Sequence, residues 1–215
     1  HRKGDIKGIK PHEPEIDFAA VKDHVFDTIK TIKPNDSPER FRALGVNVIL
    51  EEGRFIGRNT VRAGDTVIQA RHFIVATGSR AVIPPIPGID KKKVFTNETI
   101  FDLRDKPSHL IIIGGGPIGL EMAQAHRRLG CAVSVFDMGS ILPRDDQSNV
   151  AIVRQALVKE GIDVHEGVSI KLAKHDEHGV TLTIEKDGAL TDVNGSHLLV
   201  AAGRAPNIYG LGLEA

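Results

Sequence analysis

Gly114, Gly116 and Gly119 stand in the spacing Gly-x-Gly-x-x-Gly, and about 20 residues further on comes the carboxylate of Asp137. Residues without a Cβ let backbone N–H groups come close to an anionic phosphate, and a carboxylate at that distance can accept hydrogen bonds from both hydroxyls of a ribose. Together the types and spacing fit the pyrophosphate and adenosine ribose of a dinucleotide. Ordinary structural turns also collect glycines, so the elements around the motif decide between the two readings.

Those elements have the required order. Leu110–Ile113 is an unbroken aliphatic run, which predicts a strand buried on both faces of a parallel sheet. Pro117 stands where the first helical residue belongs, and Ile118, Leu120, Met122, Ala123, Ala125 and Leu129 suit a largely buried helix that Gly130 stops. A second apolar strand, Ala132–Phe136, delivers Asp137 at its tip. Asn149–Glu160 reads as a helix closed by Gly161, and Ile162–His165 as a third strand. Val168–Lys174 and Val180–Lys186 alternate, which predicts an antiparallel meander, and Leu198–Ala202 reads as a last buried strand. The expected fold is α/β: a Rossmann-like domain over 108–207, with a parallel sheet, helices and a β-meander.

The preceding residues are less regular. His1–Pro14 is polar, with little regular structure expected, and Ile16–Lys33 has helical spacing with an apolar face of Phe18, Val21, Val25, Ile29 and Ile32 up to Pro34. Ser37 and Pro38 open a short helix that Gly45 closes, and Val46–Leu50 should be strand. Short strands then follow, separated by turns at Arg58-Asn59 and Ala63-Gly64-Asp65; the last, His72–Ala76, runs into Thr77-Gly78-Ser79. Pro84, Pro85 and Pro87 forbid helix and suit an extended crossing between domains. Lys91–Lys93 reads as a solvated loop, with phosphate binding the alternative, and Thr96–Leu103 as a short helix.

Lys plus Arg and Asp plus Glu both number 28, so no net field draws nucleic acid or an anionic membrane. No apolar run approaches the ~20 residues of a membrane helix and no signal segment opens the chain, which predicts a cytoplasmic protein. Cys131 is the single cysteine, which excludes an intrachain disulfide; it reads as a small buried residue, with a reactive thiol the alternative. His175 and His178 sit on a charged turn without further convergent ligands, so no metal is expected. The single tyrosine, Tyr209, lacks a lysine four residues later, which excludes the Tyr-x-x-x-Lys pair of many dehydrogenases, and no Walker loop or serine elbow is present.

Ala76-Thr77-Gly78-Ser79 before a proline-rich crossing, Gly114-Gly115-Gly116-Pro117-Ile118-Gly119-Leu120-Glu121, and Ala202-Gly203-Arg204-Ala205-Pro206-Asn207 follow one another in the order of a known family. From about Val46 to Glu214 the chain resembles the FAD-dependent pyridine nucleotide-disulfide oxidoreductases, and Ile141-Leu142-Pro143-Arg144-Asp145-Asp146 tilts it toward the dihydrolipoamide dehydrogenase and mercuric reductase branch. The resemblance implies that Gly53, Thr77, Gly78 and Ser79 touch FAD. It places Gly114, Gly115, Gly116, Pro117, Ile118, Gly119, Glu121, Asp137, Val168 and Gly203 along an NAD site. Glu121 would face the nicotinamide; a helix-start acid favoured by the dipole is the plainer reading. Pro117 stands where some relatives carry a flavin-covering tyrosine.

The resemblance further implies an internal fragment, since family members open with their own FAD fingerprint and a redox cysteine pair, and close with a dimerisation domain. On that expectation residues 1–107 are a partial FAD-binding domain with its crossover, 108–207 bind NAD(H), and 208–215 begin the return to the FAD domain. The parent would be a homodimeric oxidoreductase passing hydride between NAD(H) and FAD, and the fragment alone would be inactive. A self-contained NAD-dependent dehydrogenase and a non-catalytic nucleotide sensor are the alternatives.

Overall fold

The computed structural model describes residues 15–214. The chain divides into two compact units: residues up to Val25 with Val82–Gly203, and Phe26–Ala81 with the residues from Arg204 on.

Helix α1 (Phe18–Ile32) begins where the Asp17 carboxylate accepts the Ala20 N–H at 2.9 Å, an N-cap that the sequence reading did not identify. Its expected apolar stripe is only partly covered: Phe18 is buried, whereas Ile29 and Ile32 are 49% and 51% exposed. Helical spacing sets which residues share a face and leaves open what covers that face. Pro34 is absorbed in a 3-10 turn, Lys33–Asp36, and Ser37 then caps α2 (Pro38–Ala43) by accepting the Arg40 N–H at 3.2 Å.

The expected strand Val46–Leu50 does not form. Gly45 turns left-handed at φ 86°, its N–H donates to Arg42 O, and the Val46 N–H donates to Phe41 O, so the first amide of that segment closes α2 in a Schellman motif. Strands β1 (Gly53–Gly57), β2 (Thr60–Ala63) and β3 (Thr66–Gln69) make an antiparallel meander with turns at the expected places. The strand expected at His72–Ala76 is also absent. Ile74 is 94% exposed, and no ladder partner lies beside this segment among the described residues. Apolar β-formers make a strand only where another backbone pairs with them. Strand β4 (Ser79–Ala81) pairs antiparallel with Arg204–Pro206.

The larger unit is built on a parallel sheet. Strand β5 (His109–Ile113) leads through α3 (Pro117–Arg128) to β6 (Ala132–Phe136), and then through α4 (Gln147–Lys159) to β7 (Asp163–His165). A three-stranded antiparallel meander, β8 (Ser169–His175), β9 (Val180–Lys186) and β10 (Ala189–Gly195), precedes β11 (His197–Val200), which returns beside β5. The sheet order is β11-β5-β6-β7, and β12 (Arg204–Pro206) is the partner of β4.

The two-residue period of β5 explains its unbroken apolar sequence. Leu110 and Ile112 face the helices, packed with Leu120, Ala123, Val150 and Leu157. Ile111 and Ile113 face the meander, packed with Val168, Leu182 and Ile184. The proline-rich stretch is a packed segment from Val82 onward: Ile83, Ile86 and Ile89 join the meander-side core, and the Ala173 N–H donates to Pro87 O at 2.8 Å. Phe95 continues it as a parallel bridge to Leu199. The helix expected over Thr96–Leu103 shrinks to a three-residue 3-10 turn, Ile100–Asp102, that plugs the fully buried Ile100 into the helix-side core. Lys91–Lys93 is exposed, turned by the Asp90 carboxylate, which accepts the Lys92 N–H.

Candidate functional site

The C-terminal ends of β5 and β6 meet at the glycine loop. Gly114 lies at φ 114°, and a Cβ there would stand 2.4 Å from Ala201 O; one on Gly119 would stand 2.0 Å from Gly114 O. The first and third glycines are therefore required by close backbone approach, turn against strand end and helix against turn. Gly116 differs: it is extended, and a Cβ there would meet nothing within 4 Å. The space over this residue, at the start of α3, is open. No side chain caps that start, so its first-turn N–H groups face the open space with the positive end of the helix dipole.

Asp137 follows β6, half-buried. Its Oδ2 accepts the Gly115 N–H and its Oδ1 accepts the Gly139 N–H, each at 2.7 Å. The sequence reading aimed this carboxylate at a ribose alone, yet it also ties the glycine loop to the loop after β6. Each carboxylate oxygen keeps acceptor capacity beyond one amide, so the two roles are compatible. Gly114, Asp137 and Val168 line one cavity of about 220 Å³ with Ile113, Phe136 and Ala202. Gly203, with no neighbour within 4 Å of a would-be Cβ, follows Ala202. Of the other residues expected here, Gly115 is buried beneath Ile141, Ile118 is half-buried, and Pro117 and Glu121 are exposed on the first turns of α3.

Within the smaller unit, Gly53 and Thr77 line a second cavity of about 880 Å³, with Arg54, Arg62, Asn207 and Tyr209. Thr77 Oγ1 donates to Asn207 O at 2.6 Å, Asn207 Nδ2 donates to Thr77 O at 3.1 Å, and Asn207 N donates to Gly78 O at 3.0 Å. Arg204 Nε donates to Ser79 Oγ at 2.7 Å. Two motifs about 130 residues apart are thus laced into one structure, with hydroxyl, amide and guanidinium groups satisfying each other. The sequence reading placed Gly53 and 77–79 at a common ligand; it missed Asn207, Arg204 and Tyr209 as their neighbours, although Arg204 and Asn207 stood in a quoted motif.

The remaining titratable candidates lie apart from both cavities. Cys131 is fully buried, and that burial pushes its thiol up, the reverse of what a reactive cysteine needs. Burial also holds His126 below the usual imidazole range; its ring bonds Met122 O through Nδ1 at 2.8 Å. His178 is exposed beside Glu177, and among the described residues no group of three or more His, Cys, Asp or Glu is placed to hold a metal ion. Nor is any described helix long and apolar enough to cross a membrane.

The profile of the pyridine nucleotide-disulphide oxidoreductases matches residues 11–215. The chain belongs to that family. It is 31% identical over 212 residues to a mercuric reductase of Streptomyces lividans, and 31% identical over 213 residues to a dihydrolipoyl dehydrogenase of Geobacillus stearothermophilus. Each alignment covers 96% of this chain and 45% of the relative, so the chain spans under half the length of these curated relatives. Among solved structures, the Cu(II) complex of the HOCl-induced flavoprotein disulfide reductase RclA from Escherichia coli superposes with a TM-score of 0.77 at 26% identity, over 92% of this chain and 45% of that one. LpdA from Mycobacterium tuberculosis gives 0.77 at 27% identity, over 94% and 46%. The mixed α/β fold with a parallel sheet and an antiparallel meander is that of the family's flavoprotein reductases.

Proposed function

We propose that the larger unit binds NAD(H) and that the smaller unit contributes part of an FAD site, in an oxidoreductase whose other segments pass electrons on to a disulfide or another acceptor. The observation that carries this is the meeting of Gly114, Asp137 and Val168 in one cavity at the C-terminal end of the parallel sheet, where ligands bind in open α/β folds. The residues fit the ligand. The open space over Gly116 suits a pyrophosphate, the uncapped helix start supplies N–H donors to it, and the half-exposed Asp137 suits an adenosine ribose. The boundaries expected from the sequence, 108–207 for NAD(H) and 1–107 with 208–215 for the flavin part, move on this reading to those of the two units, with Gly53 and Thr77–Ser79 serving FAD and Glu121 facing the nicotinamide end.

When bound, the nicotinamide and flavin supply hydride and two-electron chemistry. This chain's own residues bind and orient: the glycine-loop amides neutralise phosphate charge and Asp137 fixes the ribose. The mercuric reductases and dihydrolipoyl dehydrogenases among the relatives support the oxidoreductase reading; the parent as a cytoplasmic homodimer is proposed from the family resemblance alone. Titration calorimetry with NADH tests it. Binding that is weakened at least about tenfold by Asp137→Ala is expected, since charge-assisted bonds to hydroxyls are worth roughly 1.5–3 kcal/mol each. Saturable NADH binding indifferent to that change would remove Asp137 from the site.

A further inference from the structure

Asp137 and the glycine loop do not hold their geometry alone. Leu142 N donates to Gly115 O at 3.0 Å, and Gly167 N donates to Gly139 O at 3.0 Å, so the loop after β6 is tied on one side to the glycine loop and on the other to the residues after β7. Between these ties, Ile141 N donates to Glu166 Oε1 at 2.8 Å. Glu166 is itself gripped by Arg154 of α4, whose Nε donates to Oε2 at 3.0 Å and whose second guanidinium nitrogen donates to Oε1 at 2.6 Å. This two-pronged pair is only 34% and 29% exposed, so it is less screened by water than a typical surface pair. Ile141 is fully buried, and its Cγ2 stands 2.7 Å from where a Cβ on Gly115 would be. Any slackening at Ile141 therefore reaches Gly115, and through the Gly115 N–H it reaches Asp137 Oδ2.

We propose that Arg154 and Glu166 are positioning residues for the nucleotide site: through Ile141 they fix the loop that aims Asp137 and the Gly115–Gly116 backbone at the ribose and pyrophosphate. The inference rests on the NAD(H) reading above. Neither side chain lines the cavity, so both act at one remove from the ligand.

The test is NADH titration calorimetry with parallel thermal melts on the unmutated chain, Glu166→Gln, Asp137→Ala and the double variant. Glu166→Gln weakens NADH about fivefold, the scale of one ordinary hydrogen bond, because Glu166 acts at one remove from the ligand. In the Asp137→Ala background the same change adds less than about twofold, because coupled residues act non-additively. The exchanged pair, Arg154→Glu with Glu166→Arg, separates positioning from stability. It restores the ion pair and the melting temperature but presents donors to the Ile141 N–H, so NADH affinity stays low. Should Glu166→Gln unfold the chain, Arg154→Lys keeps the charge, loses the fork and still weakens NADH about twofold. Unchanged affinity in both Glu166→Gln and Arg154→Lys would overturn the proposal, as would fully multiplying effects with Asp137→Ala, or affinity recovered together with stability in the exchanged pair. NADH affinity unchanged by Asp137→Ala is a different failure: it rejects the ribose reading on which the proposal rests.

Discussion

On the proposed reading Asp137 carries two loads, the loop ties and the ribose, and its substitution should reveal both. A 2′-phosphate removes one ribose donor and brings negative charge toward a carboxylate already committed to the Gly115 and Gly139 amides. At ~4 Å and an effective dielectric of ~20, like unit charges repel by an upper-bound ~4 kcal/mol, so half of that decides the preference. NADPH is expected to bind about thirtyfold more weakly than NADH. Calorimetry with both cofactors checks this, and equal affinities would show that Asp137 does not select. Arg144 is the nearby cation available to a phosphate, but it sits beside Asp145 and Asp146. The glycines separate in the same way. Gly119→Ala forces a methyl against Gly114 O and should cost about 1–3 kcal/mol in denaturant unfolding. Gly116→Ala meets no neighbour and has an ordinary φ of −77°, so stability should hold within about 0.5 kcal/mol while NADH affinity falls. A destabilised Gly116→Ala with unchanged affinity would contradict the open-space reading.

At the scale of elements, β5 holds the larger unit together because alternate residues are buried in separate cores. Ile112→Ala and Ile111→Ala empty opposite faces of one strand, and each should cost about 2–5 kcal/mol. Urea denaturation of both variants is the measurement; a small loss at Ile111 alone would mean that the meander-side core is loosely packed. The sequence made the parallel-sheet elements legible to within a few residues, because their periodicity is enforced by burial on both faces. It misread Val46–Leu50 and His72–Ala76 for one shared reason. β-Branched and apolar residues declare that a segment tolerates extended backbone, whereas a ladder needs a second backbone that local sequence does not specify. The Asp146 cap on α4, accepting the Ser148 N–H at 2.8 Å, was legible in principle as an Asp before a helical run.

For the whole molecule, pH should act through one buried and two half-buried histidines. Burial depresses His126, His175 and His197 in the folded chain, so below the unfolded value of about 6.5 the unfolded state binds more protons. Stability is therefore full above that pH and falls as pH drops through the lower folded values. The Asp90 and Asp176 charges near His175, and Asp105 near His197, moderate the shift, while Lys22 near His126 deepens it. Glu166 adds a later loss: Arg154 first, then the Ile141 N–H and Lys186, hold its carboxyl low, so its contribution disappears as pH falls below about 4.3. Thermal melts across this range should show a midpoint that declines first below about pH 6.5; a midpoint that rises on acidification would reject the assignment.

The sequence by itself determined the spacing of the glycine loop, the strand that buries both faces, and the family, because these depend on residue types at short, rigid spacings. Only the tertiary structure decided that Asp137 is also a tie for Gly115, that Asn207 and Arg204 satisfy the Thr77–Ser79 segment, and that Glu166 and Arg154 anchor Ile141. These contacts join residues from 12 to 130 positions apart. A hydrogen bond needs its partner within about 3 Å, and only the folded core brings such distant groups that close.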